Sequence, residues 1–268
     1  SSMTFVSLPN SAFQIYPVTV NGVTYYPIYA AGDNISAGYN LEVDFIPMRN
    51  LWLSDSGTNN LSMIYYNNDT LAEKNATWGA NLVPVGPNPH GVAVTPNGLY
   101  VYVANYNSNT VSVIYTPSDS LYKTITVGNN PLGVAVTPNG QYVYVANQGS
   151  NTVSVISTSS NSVVATIPAG SNPIGVAITP NGQYVYVTNA VGTDVSVIST
   201  SSNSVVFTIY VHTNPIAVAI TPNGHYVYTT NWYNNTVSVI STSSNSVIAT
   251  ISGFNGPRGV VVAPNGQY

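Results

Sequence analysis

Five prolines, Pro96, Pro138, Pro180, Pro222 and Pro264, stand 42 residues apart, and Asn-Gly follows each of them. A fixed period of this length commits a chain to a repeat architecture before any other feature is read. The tract Val-Ser-Val-Ile-Ser-Thr-Ser-Ser-Asn-Ser-Val occurs three times, beginning at Val153, Val195 and Val237. Complete units run 89–130, 131–172, 173–214 and 215–256, and a partial unit, 257–268, follows them. A diverged unit, 43–88, precedes them. There Leu51-Trp52-Leu53 takes the place of the Tyr-Val-Tyr-Val run, and Leu61-Ser62-Met63-Ile64 the place of Val-Ser-Val-Ile.

Each unit carries four short segments of strand type. In the second complete unit these are Gly133-Val134-Ala135-Val136, Tyr142-Val143-Tyr144-Val145, Thr152 to Ile156 and Val163 to Ile167. All are rich in β-branched and aromatic residues, which suit a pleated and buried surface. Thr137-Pro138-Asn139-Gly140 joins the first two, with Pro presetting φ and Gly accepting a left-handed conformation. A polar turn, 157–162, joins the third and fourth, and no stretch shows an adequate helical apolar period. Four antiparallel strands per 42 residues predict an all-β fold, a β-propeller of four-stranded blades. A small twisted sheet cannot bury both faces alone, so neighbouring blades must do it, and ring closure removes long free edges. A linear β-solenoid fits poorly, because its coils are shorter.

Residues 1–42 add three strand-like segments, Thr4 to Leu8, Phe13 to Val20 and Val23 to Ala30, with Asn21-Gly22 as a hairpin signal. The last fragment adds one, Gly259 to Ala263. One strand plus three makes a blade, so the expectation is a six-bladed ring closed by the N-terminal segment. Seven blades are the rival if the chain belongs to a longer protein. A third possibility makes 1–42 a strand donor to a neighbouring subunit.

Only 4% of the 268 residues are charged, 4 Lys+Arg against 8 Asp+Glu, and the net charge is −4. Four cations cannot neutralise a phosphate backbone, so nucleic-acid binding is excluded. Hydrophobic residues at 44% and 21 Tyr exclude charge-driven disorder. No run approaches the length of a membrane-spanning helix. With no Cys there is no disulfide frame and no thiolate metal site. The exterior must be built from Asn, Ser, Thr, Gln and Tyr, and it barely titrates between acid and mild alkali. That predicts an extracellular, cell-surface setting. Ser1-Ser2-Met3-Thr4 shows no basic stretch and no apolar signal core. For a secreted protein the signal is expected to be already removed or to lie outside this sequence.

The unit Pro-x-Gly-Val-Ala-Val-Thr-Pro-Asn-Gly-x-Tyr-Val-Tyr-Val-Ala-Asn, with Tyr-Val-Thr-Asn itself at Tyr186 to Asn189, resembles the YVTN-type β-propeller repeat. The resemblance covers about residues 43–268. It implies the propeller fold and a likeness to archaeal surface-layer proteins and some secreted bacterial proteins. That repeat often has Asp where this chain has Asn in Pro-Asn-Gly, a change that keeps the turn and deletes a charge.

Comparison among the copies locates the variation. The Thr-Pro-Asn-Gly turn and the Ser-Thr-Ser-Ser-Asn-Ser turn hardly change, and strand alternation puts them on one face of the ring. The other face carries the second-to-third loop, reading Tyr106-Asn107-Ser108, Gln148-Gly149-Ser150, Ala190-Val191-Gly192 and Trp232-Tyr233-Asn234. It also carries the residue after each leading proline: His90, Leu132, Ile174, Ile216 and Arg258. Binding residues are commonly grafted on loops over a rigid scaffold. The candidate contacts are therefore Trp232, Tyr233, Tyr106, His90, His212 and Arg258, with glycans as candidate ligands because aromatic faces stack on sugar rings. The plainer alternative is that these loops drift freely and Trp232 packs on a neighbour.

Some propellers are lactonases or hydrolases that hold a metal in the central channel, which requires converging carboxylates or imidazoles. The eight acids are Asp33, Glu42, Asp44, Asp55, Asp69, Glu73, Asp119 and Asp194. Asp55 and Asp194 fall on the variable face, away from the channel, and the channel strands read Gly-Val-Ala-Val. No nucleophile elbow and no phosphate-cradling Gly loop occurs. No catalytic residue, metal or cofactor is expected. Asn-x-Ser/Thr acceptors occur at Asn34, Asn60, Asn68, Asn75 and Asn234, a number that this composition permits without enrichment. A glycan at Asn234 would compete with a binding role for Trp232. The sequence expectation is thus a non-enzymatic structural or adhesive module of a surface layer or filament, associating with itself or with other surface proteins. The alternatives are a glycan- or ligand-binding propeller and a channel-centred metal-dependent lactonase.

Overall fold

In the computed structural model, the described residues are 82–263 and the strand segments 18–20, 23–25, 49–55, 60–67 and 70–71. The chain divides into two compact units, residues 1–51 with 63–80, and residues 52–62 with 81–268. In the first unit β1 (Val18–Val20) and β2 (Val23–Tyr25) form an antiparallel hairpin, Val18 opposite Tyr25. A sheet with the order β3 (Arg49–Asp55), β4 (Asn60–Asn67), β5 (Thr70–Leu71) follows, and β6 (Leu82–Pro84) also pairs β4, Leu61 opposite Val83.

Four complete sheets make up residues 89–251, each antiparallel and each in sequence order. The first holds β7 (Pro89–Val94), β8 (Tyr100–Asn105), β9 (Thr110–Tyr115) and β10 (Ser120–Thr126). The second holds β11 (Pro131–Val136), β12 (Tyr142–Asn147), β13 (Thr152–Ser157) and β14 (Ser162–Pro168). The third holds β15 (Pro173–Ile178), β16 (Tyr184–Asn189), β17 (Asp194–Ser199) and β18 (Ser204–Tyr210). The fourth holds β19 (Pro215–Ile220), β20 (Tyr226–Asn231), β21 (Thr236–Ser241) and β22 (Ser246–Ile251). These sheets are the successive blades of a β-propeller. Residues 257–263, expected to open with a strand, carry none.

The core lies between blades. Tyr144, Val153, Val155 and Ile167 of the second blade pack on Val185, Val187 and Ile198 of the third. The same set recurs between the first and second blades, and between the third and fourth. Alternation on the second strand serves both neighbours, Val143 and Val145 facing back and Tyr144 and Ala146 facing forward, all four buried. The first strands run side by side along the inner rim. There Gly133 is tightly enclosed, because a Cβ would stand 2.2 Å from the carbonyl oxygen of Ile174.

The outer strand of each of the four described blades is bulged. Tyr122, Val164, Val206 and Ile248 are each skipped in the pairing with the third strand and lie exposed. A bulge re-aims the edge and blunts it against pairing with another chain. No helix among the described residues is long and apolar enough to cross a membrane.

Candidate functional site

The two loop sets that vary do share a face. The backbone N–H of Tyr106, Gln148, Ala190 and Trp232 donates to the carbonyl of Asn88, Asn130, Asn172 and Asn214, tying each second-to-third loop to the connection that enters its blade. On the opposite face the two constant turns are tied together, Thr158 Oγ1 donating to the Gly140 carbonyl at 2.7 Å and Thr200, Thr242 and Thr116 repeating the bond.

The six expected contact residues fall into three groups. His90 and Tyr106 meet edge to face on the first blade, ring centroids 5.5 Å apart. The Tyr106 phenol donates to Gln148 Oε1 at 2.9 Å, and Gln148 Nε2 donates to Asn172 Oδ1 at 2.7 Å, so Tyr106 is the start of a bracket across three loops. Burial holds the His90 imidazole below its usual value. His212 is exposed and lies 3.4 Å from Thr250 Oγ1 through Nε2.

The third group is the concentrated one. Trp232 and Tyr233 stack with centroids 4.9 Å apart and planes 17° from parallel. The guanidinium carbon of Arg258 lies 4.3 Å from the centroid of the Trp232 ring. Trp232 is half-buried, its indole edge lying where a Cβ on Gly256 would come within 2.8 Å of Nε1, and Gly256 holds φ +59° to make that approach. Tyr233 is the exposed member, at 67%. Asn234 Oδ1, in the same loop, accepts from the Thr213 N–H at 2.6 Å and from its hydroxyl. Of the other glycosylation candidates, Asn34, Asn68 and Asn75 lie outside the described residues, and Asn60 opens β4.

Asp194 was visible in the sequence as an acid, but its setting was not. It stands at the position held by Thr110, Thr152 and Thr236 in the other blades. In those blades a buried amide, Asn105, Asn147 or Asn231, donates to the threonine hydroxyl. Here Asn189 Nδ2 donates to Asp194 Oδ1 at 2.6 Å. The carboxylate is 8% exposed, and Oδ2 has no hydrogen-bond partner among the described residues. The residue before it, Thr193, holds φ +57°, a left-handed value rare for a β-branched side chain. Comparison of repeat copies at this position was the signal that could have found it. Among the described residues no three of His, Cys, Asp and Glu come together as a metal site.

A family model described as Lactonase, 7-bladed β-propeller, matches residues 120–213, about two of the repeats. No curated protein matches the chain. Among solved structures, the hydrazine synthase of Kuenenia stuttgartiensis is similar at 25% identity and a TM-score of 0.65, over 72% of this chain and 57% of that one. The chain thus spans little more than half the length of that enzyme. A functionally unknown protein from Desulfotomaculum acetoxidans is similar at 18% identity and a TM-score of 0.69, over 80% of this chain and 69% of that one, a likeness of fold alone. Together the blades and these matches place the chain in the β-propeller class.

The matches overturn the expectation of a non-enzymatic structural or adhesive module. The family model is that of a lactonase propeller and one similar structure is an enzyme, so the lactonase alternative is favoured over the surface-layer or filament reading. The physical reason for the error is that low charge and repeated strands describe a scaffold, and scaffolds of one shape host unrelated activities.

Proposed function

We propose that this protein is a lactonase-type propeller that opens ring esters with water at its variable loop face. The carrying observation is the match of residues 120–213 to the lactonase propeller model. That model's ring has seven blades, which supports seven rather than six for this chain's ring. The Tyr-Val-Thr-Asn tract at Tyr186 to Asn189 supports a YVTN-type subgroup within the class. The charge-poor exterior supports work outside the cytosol.

The donor set among the described residues does not fit a resident metal. Asp194 is assigned the proton transfer. Its Oδ1 is fixed by Asn189 and its Oδ2 is unengaged, so Oδ2 takes a proton from the attacking water. The hydroxide oxygen bonds the ester carbon, the bond from that carbon to the ring oxygen breaks, and the ring oxygen takes the proton held on Asp194 Oδ2, which restores the carboxylate.

The test is titrimetric assay of the purified protein on a panel of five- and six-membered lactones. Turnover is expected in the wild type. Asp194→Thr, which restores the residue of the other blades and keeps a partner for Asn189, is expected to lower kcat by about a hundredfold or more without loss of folding. An Asp194→Thr variant as active as the wild type removes Asp194 from the mechanism, and absence of turnover on every lactone removes the function.

A further inference from the structure

We propose that Asn97, Asn139, Asn181 and Asn223 are latent deamidation sites that the Thr-Pro-Asn-Gly turn holds closed, so that each becomes aspartate or isoaspartate only when its turn opens. The inference concerns the constant face, goes beyond lactone opening and does not rest on it.

The dipeptide sets the chemistry. The glycine backbone nitrogen attacks the Asn side-chain carbon, the bond from that carbon to the amide nitrogen breaks, and ammonia leaves with the glycine N–H proton. Water then opens the succinimide ring at either carbonyl, giving aspartate or isoaspartate. Glycine favours the attack because it has no Cβ to shield its nitrogen. All four asparagines are exposed, so burial does not keep water from them. Hydrogen bonds hold both reacting groups instead. The N–H of Gly98, Gly140, Gly182 and Gly224 donates to the carbonyl of Thr95, Thr137, Thr179 and Thr221, each at 2.8 Å. Asn139 Oδ1 accepts from the Thr137 hydroxyl at 2.7 Å and from the Gln141 N–H at 3.0 Å. Asn97, Asn181 and Asn223 repeat both bonds. The threonine is a firm anchor, since Thr137 is 3% exposed and its hydroxyl also accepts from the Tyr142 N–H at 3.0 Å. Attack would need the Asn carbon to swing onto the nitrogen, which breaks the bonds of its amide, and the nitrogen to give up the proton held on the Thr carbonyl.

Asn255-Gly256 is the contrast within the same chain. Asn255 is exposed and the Gly256 N–H donates to Asn235 Oδ1, but the Asn255 amide has no hydrogen bond among the described residues. Closure matters in a chain this poor in charge. A carboxylate at each of the four turns would double the net charge from −4, and each isoaspartate would add a backbone atom to its turn.

The experiment incubates the purified chain in mildly alkaline buffer, folded and in urea, and follows amide-to-acid conversion at each site by peptide mass spectrometry. The four turn sites are expected to convert more slowly folded than in urea by about tenfold or more, because the reaction follows the population of the open turn. Asn255 is expected to convert ahead of them in the folded chain. Thr137→Val removes the hydroxyl from one turn and is expected to speed Asn139 by about fivefold, the worth of one net hydrogen bond, with Asn181 in the same molecule unchanged. Thr137→Ser keeps the hydroxyl and is expected to hold Asn139 at the wild-type rate. The proposal is overturned by turn sites that convert as fast folded as in urea, by an Asn255 as slow as the turns, or by a Thr137→Val variant whose Asn139 is no faster than its Asn181. A rise at all four turns together in Thr137→Val also overturns it, since general unfolding and not the local bonds would then set the rate. None of these readouts involves lactone turnover, so failure of the proposed function leaves them unchanged.

Discussion

The Tyr102 phenol donates to Asn161 Oδ1 at 2.6 Å, from the second strand of one blade to the last turn of the next, 59 residues on. Tyr144 with Asn203 and Tyr186 with Asn245 repeat the bond at 3.0 and 2.7 Å. The Tyr of Tyr-Val-Tyr-Val and the Asn of Ser-Thr-Ser-Ser-Asn-Ser are thus two halves of one latch between blades. Asn161 can accept there because it holds φ +47°, which turns its side chain toward the preceding blade.

Removing the latch leaves a buried acceptor. Tyr102 is fully buried and Asn161 is 6% exposed, so Tyr102→Phe strands Asn161 Oδ1 away from water. The expected loss is about 2 kcal/mol. In a chain of this size that lowers Tm by roughly 4–8 °C in a calorimetric melt. A Tm unchanged by the substitution would show that the bond is not part of blade cohesion.

The same phenols set an alkaline limit. Burial, and then the neighbouring Tyr100, Tyr142 and Tyr184, pushes Tyr102, Tyr144 and Tyr186 up to about 12 from the ordinary 10.0. Unfolded, these groups lose their protons near pH 10; folded, they keep them to about 12. Their contribution to stability is therefore complete below about pH 10 and falls as pH rises from there to about 12. Thermal melts across this range, with tyrosinate absorbance as the parallel readout, are expected to show a steep fall in Tm above about pH 10. A Tm that stays level to pH 12 contradicts this.

Gly133 tests the packing at the inner rim. A methyl group there must move the Ile174 carbonyl, which is backbone and cannot swing aside. Gly133→Ala is expected to cost about 1–3 kcal/mol, read as a lower midpoint in urea. The equivalent residue of the fourth blade is already Ala217, followed by a segment, 257–263, with no strand. A neutral Gly133→Ala would mean that the rim is looser than its close contacts.

Thr193 offers a change in the opposite direction. Asn109, Asn151 and Asn235 occupy its place in the other blades, all left-handed, and each accepts through Oδ1 from the N–H of Asn130, Asn172 or Gly256. Thr193→Asn relieves a β-branched residue of a left-handed conformation and supplies the missing acceptor for the Asn214 N–H. A gain of about 1 kcal/mol is expected in the same denaturation assay. A variant no more stable than the wild type would show that the strain is absorbed elsewhere.

Repeat length, strand number, turn positions and the division into a constant and a variable face were all legible in the sequence, because each follows from local chemistry repeated at a fixed interval. Pro-Asn-Gly closes one turn in every copy, and alternation alone puts Tyr144 and Val145 on opposite sides of a strand. Partnership was not legible. Nothing in the spacing of Tyr106 and Gln148 told that one bonds the other rather than a ligand, and nothing told that Trp232 would be the half-buried ring and Tyr233 the exposed one. Asp194 looked like one more loop acid until Asn189 was seen fixing one of its oxygens. These are contacts between residues brought together from different loops and blades, and their distances depend on how the blades stack, which no single repeat encodes.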